Sequence, residues 1–369
     1  MKKRSYKQLI CLAAVSTAAV GVTVPACTAA SSGSKASSGS ADSPVVREVH
    51  AGKSIQAAVD AARPGDTIVV KPGTYHESVL ITKARLTLRG TPDRTVIMPA
   101  AAGTKAANAC AKAGNGICVQ GKKGHTVDGV RLESLTVSGF KKNGVWATWT
   151  DKLSVRKVTS RSNGIWGIAQ ERSTRGQFRD NTARANGDAG IFVANTVSEE
   201  GGATDTRGTE VRDNTMTDNR IGLTVRRLRN LSIHDNTLTG NCSGVFVVGD
   251  EGKPQAGAMT IQRNRVTKNN KFCVKTERLP AIQGSGIILT GTVDTIVRSN
   301  TVDNNVGATP LSGGIVLFKS FVGAHNTGNT VSDNRASGNR PADLTNQESG
   351  NGNKFTGNVC ATSVPAGMC

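Results

Sequence analysis

The stretch Asn230-Leu-Ser-Ile-His-Asp-Asn-Thr-Leu-Thr-Gly-Asn241, followed by Ser243-Gly-Val-Phe-Val-Val248, holds three short runs in which apolar and polar residues alternate. Leu231 and Ile233 belong to the first, Leu238 to the second, Val245 and Val247 to the third. Strict alternation gives each run one face for a core and one face outward. Asn236 and the Gly240–Asn241 pair separate the runs, and Asn and Gly tolerate the left-handed backbone of a sharp corner. The spacing predicts three strands joined by two corners, with no room for a helix between them.

The pattern recurs. Gln177 to Asn186 leads into Gly190-Ile-Phe-Val193, and Thr209 to Asn219 into Gly222-Leu-Thr-Val225. Met259 to Asn269 reaches Gly286-Ile-Ile-Leu289 after an insertion, and Asp294 to Asn304 reaches Gly314-Ile-Val-Leu317. The corner asparagines are Asn181, Asn214, Asn236, Asn264 and Asn300, with Asn329 and Asn358 in weaker context. Stacked inside a bend, such side chains satisfy one another and nearby backbone groups. Ser134 and Lys157 stand at the corresponding places of two earlier units, so the ladder is expected to be incomplete at its N-terminal end. A short repeat that cannot bury its own apolar face predicts a solenoid. Three strands and three corners per unit describe one coil of a parallel β-helix.

These repeats resemble those of right-handed parallel β-helix proteins, the pectin-lyase-like superfamily, and most of all its NosD-like branch of exported, sugar-associated domains. A second stretch is similar to the opening of many β-helix domains. Ser54-Ile-Gln-Ala-Ala-Val-Asp-Ala-Ala62 has helical apolar spacing behind a capping serine, and the Pro-Gly turns at 64–65 and 72–73 lead into strands. The helix is expected to cap the open end of an all-β core, with His76 and Glu77 belonging to the turn beside it.

Length alone, 369 residues, suggests two domains. The repeat overrides this, because a solenoid grows along one axis without starting a second core. One β-helix domain is therefore expected over residues 45–369. The formal charge of +19 either decorates outward strand positions and protects sheet edges or attracts a polyanion.

Met1-Lys-Lys-Arg followed by the apolar stretch Leu9 to Val24 reads as a secretory signal, too short and weakly hydrophobic for a membrane span. It ends in Val24-Pro-Ala-Cys27, which resembles a bacterial lipobox with Cys27 as the lipidated residue, although Pro25 leaves ordinary cleavage nearby open. Residues 1–27 are the expected signal and 28–44 a flexible Ser/Gly/Ala linker. The expected location is the outer face of the cell membrane, through a lipid anchor on Cys27, or the medium. An exported monomer of this kind is not expected to meet nucleic acid. Six cysteines remain, and an even number in an exported chain favours disulfides. Sequence neighbours pair as Cys110–Cys118, Cys242–Cys273 and Cys360–Cys369. Cys242 and Cys273 follow one corner in consecutive coils, where strands about 4.8 Å apart are within disulfide reach.

Each Gly-Ile-x-Val strand sends its branched residues inward and its x residue outward. The x residues are Trp146, Trp166, Phe192, Thr224, Phe246, Ile288 and Val316. In a chain with 4% aromatics, this outward line predicts an apolar stripe, and an exposed stripe marks a binding site or a covered interface. Trp146, Trp166, Phe192 and Phe246 are the expected substrate-binding residues. The next outward line reads Thr148, Ile168, Ala194, Arg226, Val248, Thr290 and Phe318, with Gln170, Glu171 and Asp250 beyond it. Insertions at 196–209, 250–258, 270–285 and 306–313 are expected to wall this face into a groove. Arg226, Asp250, Lys275 and Glu277 are the chargeable groups expected to reach it.

The resemblance implies that such a groove holds polysaccharide, here an acidic one. Lyase-like relatives use calcium-binding acids with an Arg or Lys base, and hydrolases use carboxylate pairs whose separation dictates the outcome. The chain shows neither the Asn-Thr-Asp and Gly-His-Gly pattern of the hydrolases nor the Asp-Pro-His motif of alginate epimerases. Arg226 and Asp250 are the candidate catalytic pair, with a surface ion pair of small consequence as the bland alternative. No cofactor is evident, calcium entering only through the resemblance. A non-catalytic module binding cell-wall polymer or protein, and an accessory scaffold of a periplasmic enzyme, stand as rivals to a lyase- or hydrolase-like enzyme.

Overall fold

The computed structural model describes residues 43–369 apart from 197, 200, 278 and 349–351. The expected signal, Cys27 and most of the linker lie outside the described residues. From Pro44 onward the chain forms one unit, a right-handed parallel β-helix of three long sheets.

Helix α1 (Ile55–Ala61) buries Ile55 and Val59 at the open end of the core. The Ser54 hydroxyl accepts from the Ala57 amide at 3.2 Å. Glu77 accepts from the Ile55 and Gln56 amides at 2.7 and 3.0 Å, so it caps the helix and completes the turn the sequence assigned to it.

Each coil then contributes one strand to each sheet. In the first sheet, Arg131–Glu133, Ser154–Arg156 and Gln177–Arg179 pair in parallel, and the middle residues Leu132, Val155 and Phe178 are fully buried. The second sheet stacks Thr159–Arg161, Thr182–Arg184 and Thr215–Thr217. The third stacks Val145–Thr148, Ile168–Glu171, Ala189–Ala194, Ile221–Arg226 and Ser243–Val248, and continues through Ser285–Thr290 to Gly313–Phe318.

Two asparagine ladders mark the two short corners. The Asn236 Nδ2 donates to Asn264 Oδ1 and to the carbonyl of Val211, both at 2.9 Å, while its Oδ1 accepts from the amide and the side chain of Asn214. The ladder runs Asn181, Asn214, Asn236, Asn264, Asn300, Asn334, Asn358. Asn334 therefore stands where Asn329 was expected. Asn329 lies at a different corner, bonded to Asn353. The second ladder, which the sequence reading did not separate, runs Asn163, Asn186, Asn219, Asn241, Asn269, Asn305, Asn339 and ends on Asp343.

The left-handed residue is the one before each asparagine, as at Asp213 (φ 54°) and Asp235 (φ 57°). Ser134 and Lys157 occupy that left-handed place, so Leu135 and Val158 fill the asparagine positions of the early coils, and the ladder is incomplete there as expected.

All three expected disulfides are present, with Cα atoms 5.7, 6.0 and 5.1 Å apart in chain order. Cys273 is not in a coil strand. It sits in the 270–284 insertion, paired with Ile282, so its bond to Cys242 fastens that insertion to the third sheet. At the far end, Asp343 Oδ2 accepts from the amides of Ala361 and Thr362, and Met368 packs on the core, which seals the last coil.

Candidate functional site

The outer face of the third sheet carries the apolar column. Register pairs Trp146, Ala169, Phe192, Thr224, Phe246, Ile288 and Val316 in one line. Trp166 is not in it, which corrects the sequence reading. Asn143-Gly144-Val-Trp146 and Asn163-Gly164-Ile-Trp166 look alike, but Asn163 is a ladder residue and Asn143 is not: Phe140 holds the ladder place in the earlier coil, its amide donating to Asn163 Oδ1 at 3.1 Å. The residue beside Gly144 in the next coil is Gly167, where an added Cβ would lie 2.5 Å from the carbonyl of Gly190. Trp166 thus precedes its strand, and Ala169 takes its expected place.

The same shift moves Glu171 into the second outward line in place of Ile168, between Thr148 and Ala194. Gln170 turns inward and is buried. Trp166 reaches the column all the same, because its ring stacks on Phe192 with centroids 4.0 Å apart and planes within 4°.

The stripe is covered over its C-terminal half. Phe246, Ile288, Val316 and Phe318 are buried together with Cys242, Ile282 and Leu311, the last two supplied by the 270–284 and 306–312 insertions. Arg220 holds the first of these, donating to the carbonyl of Val274 at 2.8 Å. A further insertion after Phe318, which the sequence did not signal, brings Phe321 to 5.0 Å from it between ring centroids. Trp146 and Trp166 are half-buried at the open end. What remains is a groove of about 450 Å³ with Trp166, Phe192 and Phe246 on its floor and the exposed Phe321 and Val322 on its rim.

Polar groups fix the aromatic rings. The Trp166 indole N–H donates to Asp188 at 3.1 Å and that of Trp146 to Glu171 at 3.0 Å. Asp250 pairs with Arg227, not with the expected Arg226. The reason is the corner: Arg227 takes the left-handed place (φ 53°), which swings its side chain back to Asp250, while Arg226 donates to the carbonyl of Thr196. Both arginines and Asp250 do line the groove. Lys275 and Glu277 are exposed on the insertion and do not line it.

Among the described residues, no group of three His, Cys, Asp or Glu side chains is placed to hold a metal ion, and the six described cysteines are spent in disulfides. No helix among them is long and apolar enough to cross a membrane.

With coils, ladders and groove in place, the chain has the right-handed parallel β-helix fold, and two family models match parts of it. The family described as "Right handed beta helix region" matches residues 108–275, and the one described as "Periplasmic copper-binding protein (NosD)" matches residues 195–366. Among the described residues, the disulfide-bonded cysteines and scattered carboxylates form no group that fits the copper of the second description. Among solved structures, the A-module of the mannuronan C-5 epimerase AlgE6 of Azotobacter vinelandii aligns with TM-score 0.56 at 19% identity, covering 84% of this chain and 90% of that one. The periplasmic alginate epimerase AlgG aligns at 0.52 and 14%, covering 86% and 73%. A DFA-IIIase from Arthrobacter chlorophenolicus aligns at 0.50 and 15%, covering 75% and 82%. Comparison with curated protein sequences finds no match.

Proposed function

We infer that the chain is an exported protein that binds polysaccharide in the third-sheet groove, with the half-buried Trp166, backed by the buried Phe192, as its platform. The observation that carries this is the stacked pair itself. Two aromatic rings from successive coils lie flat on one another at the open end of a groove whose other end is closed by fastened insertions. Sugar C–H faces pack on such rings, and the carboxylates of Asp188 and Glu171 hold the two indoles in place. Charge in the groove is balanced, Arg226 and Arg227 against Asp188 and Asp250, so it reads ring faces and hydroxyls more than net charge. The epimerases of mannuronan and alginate that share the fold support a polysaccharide as occupant. Three disulfides suit an oxidising, extracytoplasmic location.

The test is a glycan array on the full chain, followed by tryptophan-fluorescence titration of each hit. Trp166→Ala should abolish the shift and Trp146→Ala should weaken it. An array without hits, or titrations unaltered in Trp166→Ala, sinks the reading. Unsaturated uronate absorbance or released reducing ends in the same mixtures would extend binding to turnover.

A further inference from the structure

The groove leaves the charge of +19 unexplained, and much of it is on a different face. The outer surface of the first sheet forms a depression of about 740 Å³ lined by six arginines and Lys152, against one carboxylate, Glu133. Two rows build it. Register stacks Arg89, Glu133, Arg156 and Arg179 at the third position of successive strands. Lys152, Arg175 and Arg207 take the left-handed place of the adjoining corner, with φ near 53° in each.

The first row shows what it is built to hold. Glu133 sits between two arginines of neighbouring coils, accepting from Arg89 Nε at 2.9 Å and lying 3.6 Å from Arg156 Nη2. One step further, Arg156 and Arg179 are direct register partners with no carboxylate between them. Like charges stacked on neighbouring strands destabilise a sheet. The Nε of Arg179 is buried without a hydrogen-bond partner, and among the described residues Arg131 and Arg179 have no carboxylate in ion-pair contact. Further along, the same row is neutralised internally, Arg212 pairing with Glu210 and Asp213, and in the corner beyond it Arg263 pairs with Asp235. Within the depression Arg175 is paired with Asp151, so the charge left there without an ion-pair contact among the described residues is that of Arg131, Lys152, Arg179 and Arg207.

We propose that this first-sheet depression is a binding site for a linear carboxylate-bearing polysaccharide, separate from the aromatic groove. Its uronate carboxylates take the place between Arg156 and Arg179 that Glu133 takes between Arg89 and Arg156. Arginine suits this task, since its planar fork meets a carboxylate through two parallel bonds. The strand repeat of about 4.8 Å is close to the advance of a 1,4-linked sugar along its chain, so a polymer lying across the strands keeps step with the coils and can present a carboxylate between Arg156 and Arg179. A concave strip favours a polymer chain over a flat lipid surface.

The experiment uses the full chain on a surface-binding instrument, with polygalacturonate as probe, dextran as neutral polymer and vesicles of phosphatidylglycerol as anionic membrane. Polygalacturonate should bind, more weakly as salt rises, and dextran should not. Arg156→Gln with Arg179→Gln should lower the affinity about tenfold or more and flatten its salt dependence. Its melting temperature should change little, because removal of the stacked like charges offsets the loss of the Arg156–Glu133 contact. Arg212→Gln, already neutralised, should change affinity less than about twofold, and Trp166→Ala should leave polygalacturonate binding intact. Should the double variant fail to fold, Arg131→Gln with Lys152→Gln, both exposed, replaces it and should lower the affinity likewise. Undiminished binding in these variants, or an equal loss in Arg212→Gln, overturns the proposal. So does loss in Trp166→Ala alone, which places the polymer in the other groove. Vesicle binding tighter than polymer binding and lost in the double variant gives the face to a membrane and also overturns it.

Discussion

Trp166 and Phe192 stack face to face, 4.0 Å between ring centroids, although Trp166 belongs to a corner and Phe192 to a strand of the following coil. The pair exists because Ala169, small and directly below Phe192 in register, leaves room for a ring to fold in from the corner. Trp166 is held there by Asp188, so the platform is preorganised. Trp166→Ala should therefore cost glycan affinity about tenfold while costing stability about 2 kcal/mol, the aromatic pair together with the half-buried area of the indole. Equal thermal melts with unequal glycan titrations would support this. A collapse of the melt would show that the indole is a core residue instead.

The Cys242–Cys273 bond closes a loop of 31 residues and should contribute about 3–4 kcal/mol through the unfolded chain. Its structural reach is narrower. Cys273 and Ile282 exchange backbone hydrogen bonds within the insertion, at 2.9 and 3.0 Å, and Ile282 covers Phe246. Cys242→Ser should lower the melting temperature and speed amide exchange at Cys273 and Ile282 more than at Val245 or Val247. Uniform acceleration across the third sheet would contradict this division.

The fold was legible because its signal is repeated: alternation sets the strands, and an asparagine closes each first corner. Even the second ladder was visible, since the repeated segments ended on Asn186, Asn219, Asn241 and Asn269, but only hydrogen bonding separates it from the first. The site was legible in composition and not in register. Asn143 and Asn163 occupy different places in their coils, and the glycines after them look equivalent when Gly144 and Gly167 are the true pair. That three-residue shift moved Trp166 and Ile168 out of the outward lines and brought Ala169 and Glu171 in. The choice of Arg227 over Arg226 as partner of Asp250 rests on one left-handed corner residue, which alternation alone does not locate. The cover over Phe246 and Ile288 depends on how insertions fold back, and no local period encodes that.

Asn236 sits mid-ladder with an asparagine on both sides, whereas on its N-terminal side Asn181 meets only backbone groups, the amide of Val158 and the carbonyl of Val155. Asn236→Ala leaves backbone groups of Val211 and Asn214 and the amides of two asparagines unmatched in a dry interior. It should cost about 3 kcal/mol. Asn181→Leu should cost less than Asn236→Leu, because Leu135 and Val158 already fill this column in the coils below Asn181. Chemical denaturation of the three variants checks the order, and equal losses for the two leucine variants would deny any role to ladder position.

Acid should unfold the chain through a small set of held carboxylates. Backbone amides of Arg63 and Val45, with Arg47, hold Asp66 below the ordinary carboxylate range. Arg175 does so for Asp151, against the opposing effect of burial, and Arg263 with His234 for Asp235. For Glu210 burial pushes upward, but hydrogen bonds from His234 and Arg212 outweigh it and the net direction is down. A carboxylate whose folded pKa is depressed adds stability that is complete above its unfolded value and is lost as pH falls through the folded one. The melting temperature should thus show no loss from these groups between neutral pH and about pH 5, then drop below about pH 4 as the unfolded chain begins to take up protons first. Asp66→Asn, which removes the most buried of the four, should melt lower than the parent at neutral pH and lose less on acidification. A parent melting curve that stays level down to about pH 2 would show that these contacts do not favour the folded state.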